Sequence, residues 1–152
     1  MSETQPQTYA NHTRLDPWFH FFLLPVFFLG VILALIHFFA HLSHSSAGEN
    51  FHAFLLIVLA LALLILTFKT RLYALKVQDR VIRLEERLRL MQILPEPQRA
   101  RIPELTEDQL AGLRFASDAE LPKLTERALN EKLSRKQIKQ SIQSWRPDYW
   151  RV

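Results

Sequence analysis

The chain contains no cysteine and only three glycines among its 152 residues. The lack of cysteine excludes disulfides, thiolate metal centres and c-type haem attachment. The chain also has no P-loop, no GxGxxG dinucleotide fingerprint, no GxSxG nucleophile elbow and no HExxH metalloprotease motif. These absences exclude the common motif-defined enzyme classes, and we interpret the protein as a non-enzyme.

Lysine and arginine are missing altogether from residues 17–68. This stretch contains two apolar runs, residues 18–42 and residues 51–68. A helix needs about 20 residues to cross the ~30 Å hydrocarbon core of a bilayer. We therefore predict a transmembrane hairpin of two spanning helices joined by a polar loop. Pro25 lies inside the first run and predicts a kink there.

The positive charge of the chain is concentrated after residue 68. Residues 69–152 carry 18 of the 19 basic and 12 of the 15 acidic residues, a net charge of +6, whereas Arg14 is the one basic residue of the N-terminal tail, residues 1–16. Cytoplasmic segments are enriched in lysine and arginine. We predict that both termini lie in the cytoplasm. Asp16, just before the first run, is expected to pair with Arg14.

The second helix is predicted to continue into the cytoplasm over residues 69–94, because no proline or glycine interrupts it before Pro95. Its apolar residues step by 4, 3, 4 and 3, which indicates a short coiled-coil seam. With Val81 at heptad position a, Arg80 falls at g and Glu85 at e, a pairing that suits a parallel partner. The seam residues are Val77, Val81, Leu84, Leu88 and Met91.

Two other interpretations of this helix stay open. It can be an amphipathic helix that packs on its own C-terminal domain, which we favour slightly over the coiled coil. Its arginines can also lie against anionic lipid headgroups, and this arrangement is compatible with either of the others. The coiled coil makes the protein a homo-oligomer or a subunit of a membrane complex.

Residues 95–103 are rich in proline and predict a linker, after which residues 104–152 are expected to form a small helical domain. Two helices of this domain begin with the same signal: Thr106 with Gln109, and Ser134 with Gln137, each match a capping box. A domain of fewer than 60 residues is marginally stable, so we expect support from the preceding helix or from a second subunit.

The apolar residues of this C-terminal domain predict a single small core. Another helix is expected from Ser117 onward, although Pro122 obscures where it starts. The last helix is expected to run to Trp145 and to stop before Pro147. The predicted core residues are Leu110, Leu113, Phe115, Leu121, Leu124, Leu129, Leu133, Ile138, Ile142 and Trp145.

Four of the six histidines cluster around the predicted loop between the spans. Three of them share a helical stripe with two small residues, Gly30 and Ala34, which are typical of contacts between membrane helices. Three imidazoles and a carboxylate suit zinc, and paired histidines of two subunits can ligate haem. We favour a turn in which the imidazoles are satisfied near the headgroups, without a cofactor. The candidate ligands are His37, His41, His44 and His52.

Three functions are compatible with these patterns. We prefer a non-catalytic membrane anchor whose basic cytoplasmic helices self-associate or dock a partner protein. The alternatives are a haem- or metal-binding membrane subunit that uses the histidine stripe, and an oligomeric channel. The C-terminal helix is basic and aromatic, but its modest charge favours a protein or membrane surface over nucleic acid.

Three segments of the sequence carry a resemblance to a known family: "NHTRLDPWFHFFLLP" (11–25), "RFASDAELP" (114–122) and "KQIKQSIQSWRPDYWRV" (136–152). In them the chain resembles an uncharacterised family of small bacterial membrane proteins. The resemblance implies a two-span inner-membrane protein with a cytoplasmic helical tail. It implies no activity, because none is assigned to that family. The resulting fold prediction is all-α: a transmembrane hairpin, an extended second helix and a small helical domain.

Overall fold

The computed structural model describes residues 6–13, 15–42, 44 and 46–148. In this part of the chain the regular elements are all helical, so the predicted all-α class is confirmed. The described residues divide into two compact units. We call residues 15–75 the hairpin unit, and residues 6–13 together with 76–148 the terminal unit.

The first apolar run forms a π-helical turn, Trp18–Leu23, followed by α1, Leu24–His41. Pro25 stands at the start of α1 and has no N–H with which to continue the hydrogen bonds of a preceding α-helix. The backbone N–H of Leu24 instead donates to the carbonyl of Phe19, five residues back, which is the π-helical spacing. The proline therefore coincides with a change of helix type at the expected place.

Asp16 caps the beginning of this helical run. Its Oδ1 accepts hydrogen bonds from the backbone N–H groups of Trp18, at 3.1 Å, and Phe19, at 3.3 Å. Its Oδ2 lies 3.5 Å from Nη1 of Arg71. The expected partner, Arg14, lies outside the described residues. Asp16 thus links the start of the first apolar run to the residues just after the second.

The second helix, α2, is one continuous element, Ala47–Ile93. Both α1 with its π-helical turn and α2 are long and apolar enough to cross a membrane. The predicted extension beyond the second apolar run is present, and α2 ends shortly before Pro95, whose backbone is extended. The predicted linker folds into two short turns, α3, Glu96–Arg99, and a 3-10 helix, Ile102–Glu104.

Two of the remaining helices begin as the sequence predicts. These helices are α4, Glu107–Leu113, and α6, Arg135–Ser141. Each opens with a complete capping box: Thr106 Oγ1 accepts from the N–H of Gln109 at 3.2 Å, and Ser134 Oγ accepts from the N–H of Gln137 at 3.4 Å. In both boxes the Oε1 of the glutamine accepts a hydrogen bond from the backbone N–H of the N-cap residue, so two otherwise unpaired N–H groups are satisfied in each box.

The helix between these two, α5, Leu121–Asn130, begins later than predicted. The expectation of a helix from Ser117 was wrong, because residues 117–120 form a turn in which the N–H of Leu121 bonds to the carbonyl of Ser117 at 3.1 Å. Pro122 then stands at the first or second helical position, where its missing N–H costs nothing.

The last helix ends earlier than predicted. The expectation that it reaches Trp145 was wrong, because Ile142 is extended and α6 ends at Ser141. Beyond it the chain pairs with residues 115–117: Arg146 N–H donates to the Phe115 carbonyl at 2.7 Å, and Ser117 N–H donates to the carbonyl of residue 144 at 3.0 Å. These bonds replace the helical ones, so Trp145 reaches the core from an extended segment.

The hydrophobic core of the terminal unit contains all ten predicted residues. Eight are buried, and Leu129 and Trp145 are partly buried against them. The helix α2 contributes the fully buried side chain of Leu90, and Leu94, just after the end of the helix, is fully buried too. The small domain is therefore completed by the preceding helix. The other members of the core are Ile93, Ile102, Leu105, Ala116 and Ala128.

Candidate interaction site

The predicted seam lies on α2 and is exposed along its whole length. Its five side chains retain between 46% and 63% of their accessible surface. Within residues 76–148, no other large hydrophobic side chain is exposed. Large side chains of a folded domain that stay in water at helical spacing form an apolar patch, and such patches mark interaction surfaces.

The terminal unit packs against the opposite face of α2. Ile82, Glu86, Leu90 and Leu94 are buried, each four residues after the last. At 100° per residue this stripe points away from the seam. The helix therefore packs on its own domain, as one interpretation held, but through a face other than the seam. The coiled-coil role of the seam stays a prediction.

The sequence did not reveal this buried face because a carboxylate stands in the middle of it. Glu86 keeps only 3% of its surface, and burial raises the pKa of its carboxyl above the ordinary value. The charges of Arg89, Arg146 and Arg114 act in the opposite direction and favour the ionised form. Three guanidinium groups thus offset part of the cost of burying a carboxylate that interrupts an otherwise apolar stripe.

Arg89 of α2 forms hydrogen bonds with the segment that follows α4. Its Nη2 donates to the carbonyl of Ala116 at 2.7 Å, and its Nε donates to Oδ1 of Asp118 at 2.9 Å. Its Nη1 lies 3.3 Å from Oε1 of Glu86. Six residues earlier on α2, Arg83 pairs with Glu107 at the start of α4. These charge-assisted contacts fix the rotation of α2 and so keep the seam turned outward.

The flanks of the seam carry opposite charges. In the predicted heptad register Arg80 and Arg87 occupy g positions on one flank, and Glu85 occupies an e position on the other. All three residues are exposed. The seam therefore has a basic edge and an acidic or neutral edge, which is an asymmetry that a partner helix can match.

The N-terminal segment is part of the terminal unit, which sequence reasoning missed. The side chain of Gln7 donates to the carbonyl of Asp148 at 3.2 Å and accepts from its N–H at 2.9 Å. The ring of His12 lies 5.9 Å from that of Phe115 and 5.7 Å from that of Trp145. The only signal was that His12, Phe115 and Trp145 each belong to one of the three segments that carry the family resemblance; Gln7 lies outside these segments.

The histidine stripe does not assemble a cofactor site in the described residues. His37 and His41 lie near the end of α1 with ring centroids 4.5 Å apart, and Nδ1 of His41 lies 2.9 Å from the carbonyl of His37. All four candidate ligands, including His44 and His52, are exposed. Across residues 6–13, 15–42, 44 and 46–148, no three His, Cys, Asp or Glu side chains gather to hold a metal ion.

The small residues predicted for helix contact line an open groove within the hairpin unit. Gly30 and Ala34 of α1 and Ala60 of α2 contribute to its wall, together with His37, and its volume is about 440 Å³. A Cβ added to Gly30 would meet nothing within 4 Å. The space above Gly30 is therefore not filled by the chain itself.

Comparisons with known proteins give one match. A family model described as "Family of unknown function (DUF6526)" matches residues 1–152, the whole chain. No curated protein and no solved structure matches the chain.

Proposed function

Because the chain belongs to the family of unknown function DUF6526, which brings no activity with it, we propose a function from its surfaces. The protein is a non-catalytic integral membrane protein of the bacterial inner membrane. Its two spans anchor a cytoplasmic unit, and the seam of this unit self-associates or docks a partner protein. The observation that carries this proposal is that the seam is the one exposed apolar stripe in residues 76–148.

The exposure of the two apolar helices supports their insertion into lipid. The most apolar 18 residues of the first helix have a mean hydropathy of 2.6 and are 0% buried inside the chain. Those of the second helix have a mean hydropathy of 2.8 and are 11% buried. The apolar helices of a soluble core are mostly buried, whereas these present rows of phenylalanine and leucine to their surroundings. Each fully exposed large apolar side chain costs about 1.5–3 kcal/mol relative to its buried state. Water is therefore a poor solvent for the hairpin unit.

The contacts of the N-terminal segment support an even number of crossings. Gln7 and His12 pack with residues 115–148 inside one compact unit. Both ends of the hairpin must then leave the membrane on the same side, which two spans satisfy. The ion pair between Asp16 and Arg71 fits this arrangement. The excess of lysine and arginine after residue 68 favours the cytoplasmic side.

Labelling of single introduced cysteines tests the topology, and no native thiol reacts with the label because the chain has no cysteine. The variants Ala47→Cys, at the start of α2 and between the two apolar runs, and Gln140→Cys, on α6, both replace exposed residues. A membrane-impermeant maleimide should label Ala47→Cys in intact spheroplasts and Gln140→Cys only after lysis. Recovery of the protein in the supernatant without detergent, or the reverse labelling pattern, would contradict the anchor.

Two assays separate this proposal from its alternatives. A haem or metal subunit predicts a Soret band or stoichiometric metal in purified protein, and either signal should be lost on substituting His37 and His41. An oligomeric channel predicts conductance in planar bilayers that a bulky residue at Gly30 abolishes. The anchor predicts neither signal, and it predicts that alanine at Leu84 lowers oligomer or partner recovery while alanine at His37 does not.

A further inference from the structure

We propose that the occupant of the seam is a second copy of this chain, bound as a parallel, in-register, two-stranded coiled coil over residues 77–91. This inference rests on the proposed function, because it names the partner of the same surface. It requires three things of the structure: a free seam, a fixed orientation of the two copies, and flanking charges that attract each other in that orientation.

The seam is free in the folded chain, and the chain's own domain does not obstruct a second helix. Ile82, Glu86 and Leu90 occupy the b, f and c positions of the heptad, which form the outer face of a coiled coil. The terminal unit covers this outer face and leaves the a and d positions in water. Val81 at a with Leu84 at d is the combination that favours two strands in a parallel coiled coil, whereas Leu88 at a with Val77 at d is the reverse combination. The number of strands is therefore checked by the copy number of the purified particle.

The membrane fixes the orientation of the two copies. Each α2 leaves the bilayer in the same direction, so the extensions of neighbouring copies run parallel. In a parallel pair the g position of one helix faces the following e position of the other, which sets Arg80 against the partner's Glu85 twice per dimer. In an antiparallel pair g faces g, which would bring the basic edges with Arg80 and Arg87 together. The flanking charges thus favour the orientation that the anchor imposes.

The seam is short, since Pro95 follows soon after Met91 and prevents further heptads. Isolated coiled coils of about two heptads are weak in water. Anchoring in one membrane raises the effective concentration of the second helix and makes association quasi-intramolecular. A short seam next to a membrane anchor is therefore sufficient where a free peptide of this length would dissociate.

Disulfide mapping in native membranes tests the orientation and the register. Val77→Cys and Leu84→Cys replace exposed seam residues, and Asp79→Cys replaces an exposed residue at the outer f position as a matched control. With a mild oxidant, both seam variants should form dimers at least tenfold faster than the control. In an antiparallel pair, the Leu84→Cys variant would form a disulfide-linked dimer and the Val77→Cys variant would not. This result would overturn the proposal.

Charge reversal tests the pairing itself, in the Val77→Cys background. Arg80→Glu or Glu85→Arg places like charges together at both g–e contacts and should slow dimer formation about tenfold. The double variant Arg80→Glu/Glu85→Arg restores opposite charges and should return the rate to within about twofold of the parent. If the single reversals have no effect, or if the double variant is not rescued, the register is wrong.

The outcomes separate this inference from the proposed anchor. Failure of the anchor appears as soluble protein or as reversed maleimide labelling. Failure of the inference appears as correctly inserted protein whose seam cysteines do not cross-link, or whose purified particle contains one copy or more than two. In that second case the seam serves a different protein partner, while the membrane anchor still stands.

Discussion

Replacing Leu90 by alanine isolates the contribution of α2 to the stability of the terminal unit. Leu90 is fully buried and belongs to the core, whereas Leu72 lies on the same helix, outside the seam, and keeps 52% of its surface. A buried leucine replaced by alanine loses its transfer free energy and leaves a cavity, which together cost about 2–5 kcal/mol. An exposed substitution changes the free energy of unfolding by about 0.5 kcal/mol or less. Leu72→Ala is therefore the matched control.

Amide hydrogen exchange on the full chain, held in detergent or nanodiscs, measures this difference. A loss of about 3 kcal/mol corresponds to ~150-fold faster exchange of the amides that open only with the whole unit. We expect this acceleration in peptides covering α4, α5 and α6 of Leu90→Ala, although none of them contains the substitution. Leu72→Ala should exchange like the parent. Equal exchange in both variants would refute the assignment of α2 to the core of the terminal unit.

Three further predictions concern the terminal unit. Gly112→Ala should destabilise it by about 1–3 kcal/mol, because the new Cβ would lie 3.1 Å from Cγ2 and 3.2 Å from Cβ of Ile138, which is fully buried and has no room to move aside. Gly48→Ala, with nothing within 4 Å of the new Cβ, should not destabilise it, and thermal unfolding of the two variants measures the difference. Thr106→Ala removes the cap of α4 and should cost about 0.5–2 kcal/mol by the same measurement, with Thr106→Ser close to the parent. Burial raises the pKa of Glu86, so the folded state binds its proton more tightly than the unfolded state does. Lowering the pH from neutral towards the ordinary carboxyl pKa should therefore increase the free energy of unfolding, through protonation of Glu86 in the folded state. Denaturation at several pH values should show that the Glu86→Gln variant lacks this increase. Identical pH profiles for the variant and the parent would contradict the prediction.

The elements that short segments encode were predicted well. Both capping boxes depend on four consecutive residues, and both are formed at the expected positions. The ten core residues of the terminal unit follow from apolar spacing alone, because no other place in a small domain can bury them. The continuation of α2 to Ile93 follows from the absence of proline and glycine before Pro95.

Two of the three failures involve distant partners, and the third involves a local turn. The end of α6 at Ser141 depends on backbone hydrogen bonds between residues 115–117 and 144–146, and no local signal announces such pairing. The helix from Ser117 was misplaced because the turn before Pro122 was not recognised. The position of Gln7 and His12 in the terminal unit depends on residues more than a hundred positions away.

The amino-acid sequence by itself determined which stretches are helical, where two of the helices are capped, and which apolar residues leave water. These properties depend on neighbours within a few positions, so composition and spacing are enough. Only the tertiary structure decided which face of α2 is buried. The choice depends on arginines around Glu86, Arg89 from the same helix and Arg114 and Arg146 from distant segments, and it leaves the seam of Val77 to Met91 in water.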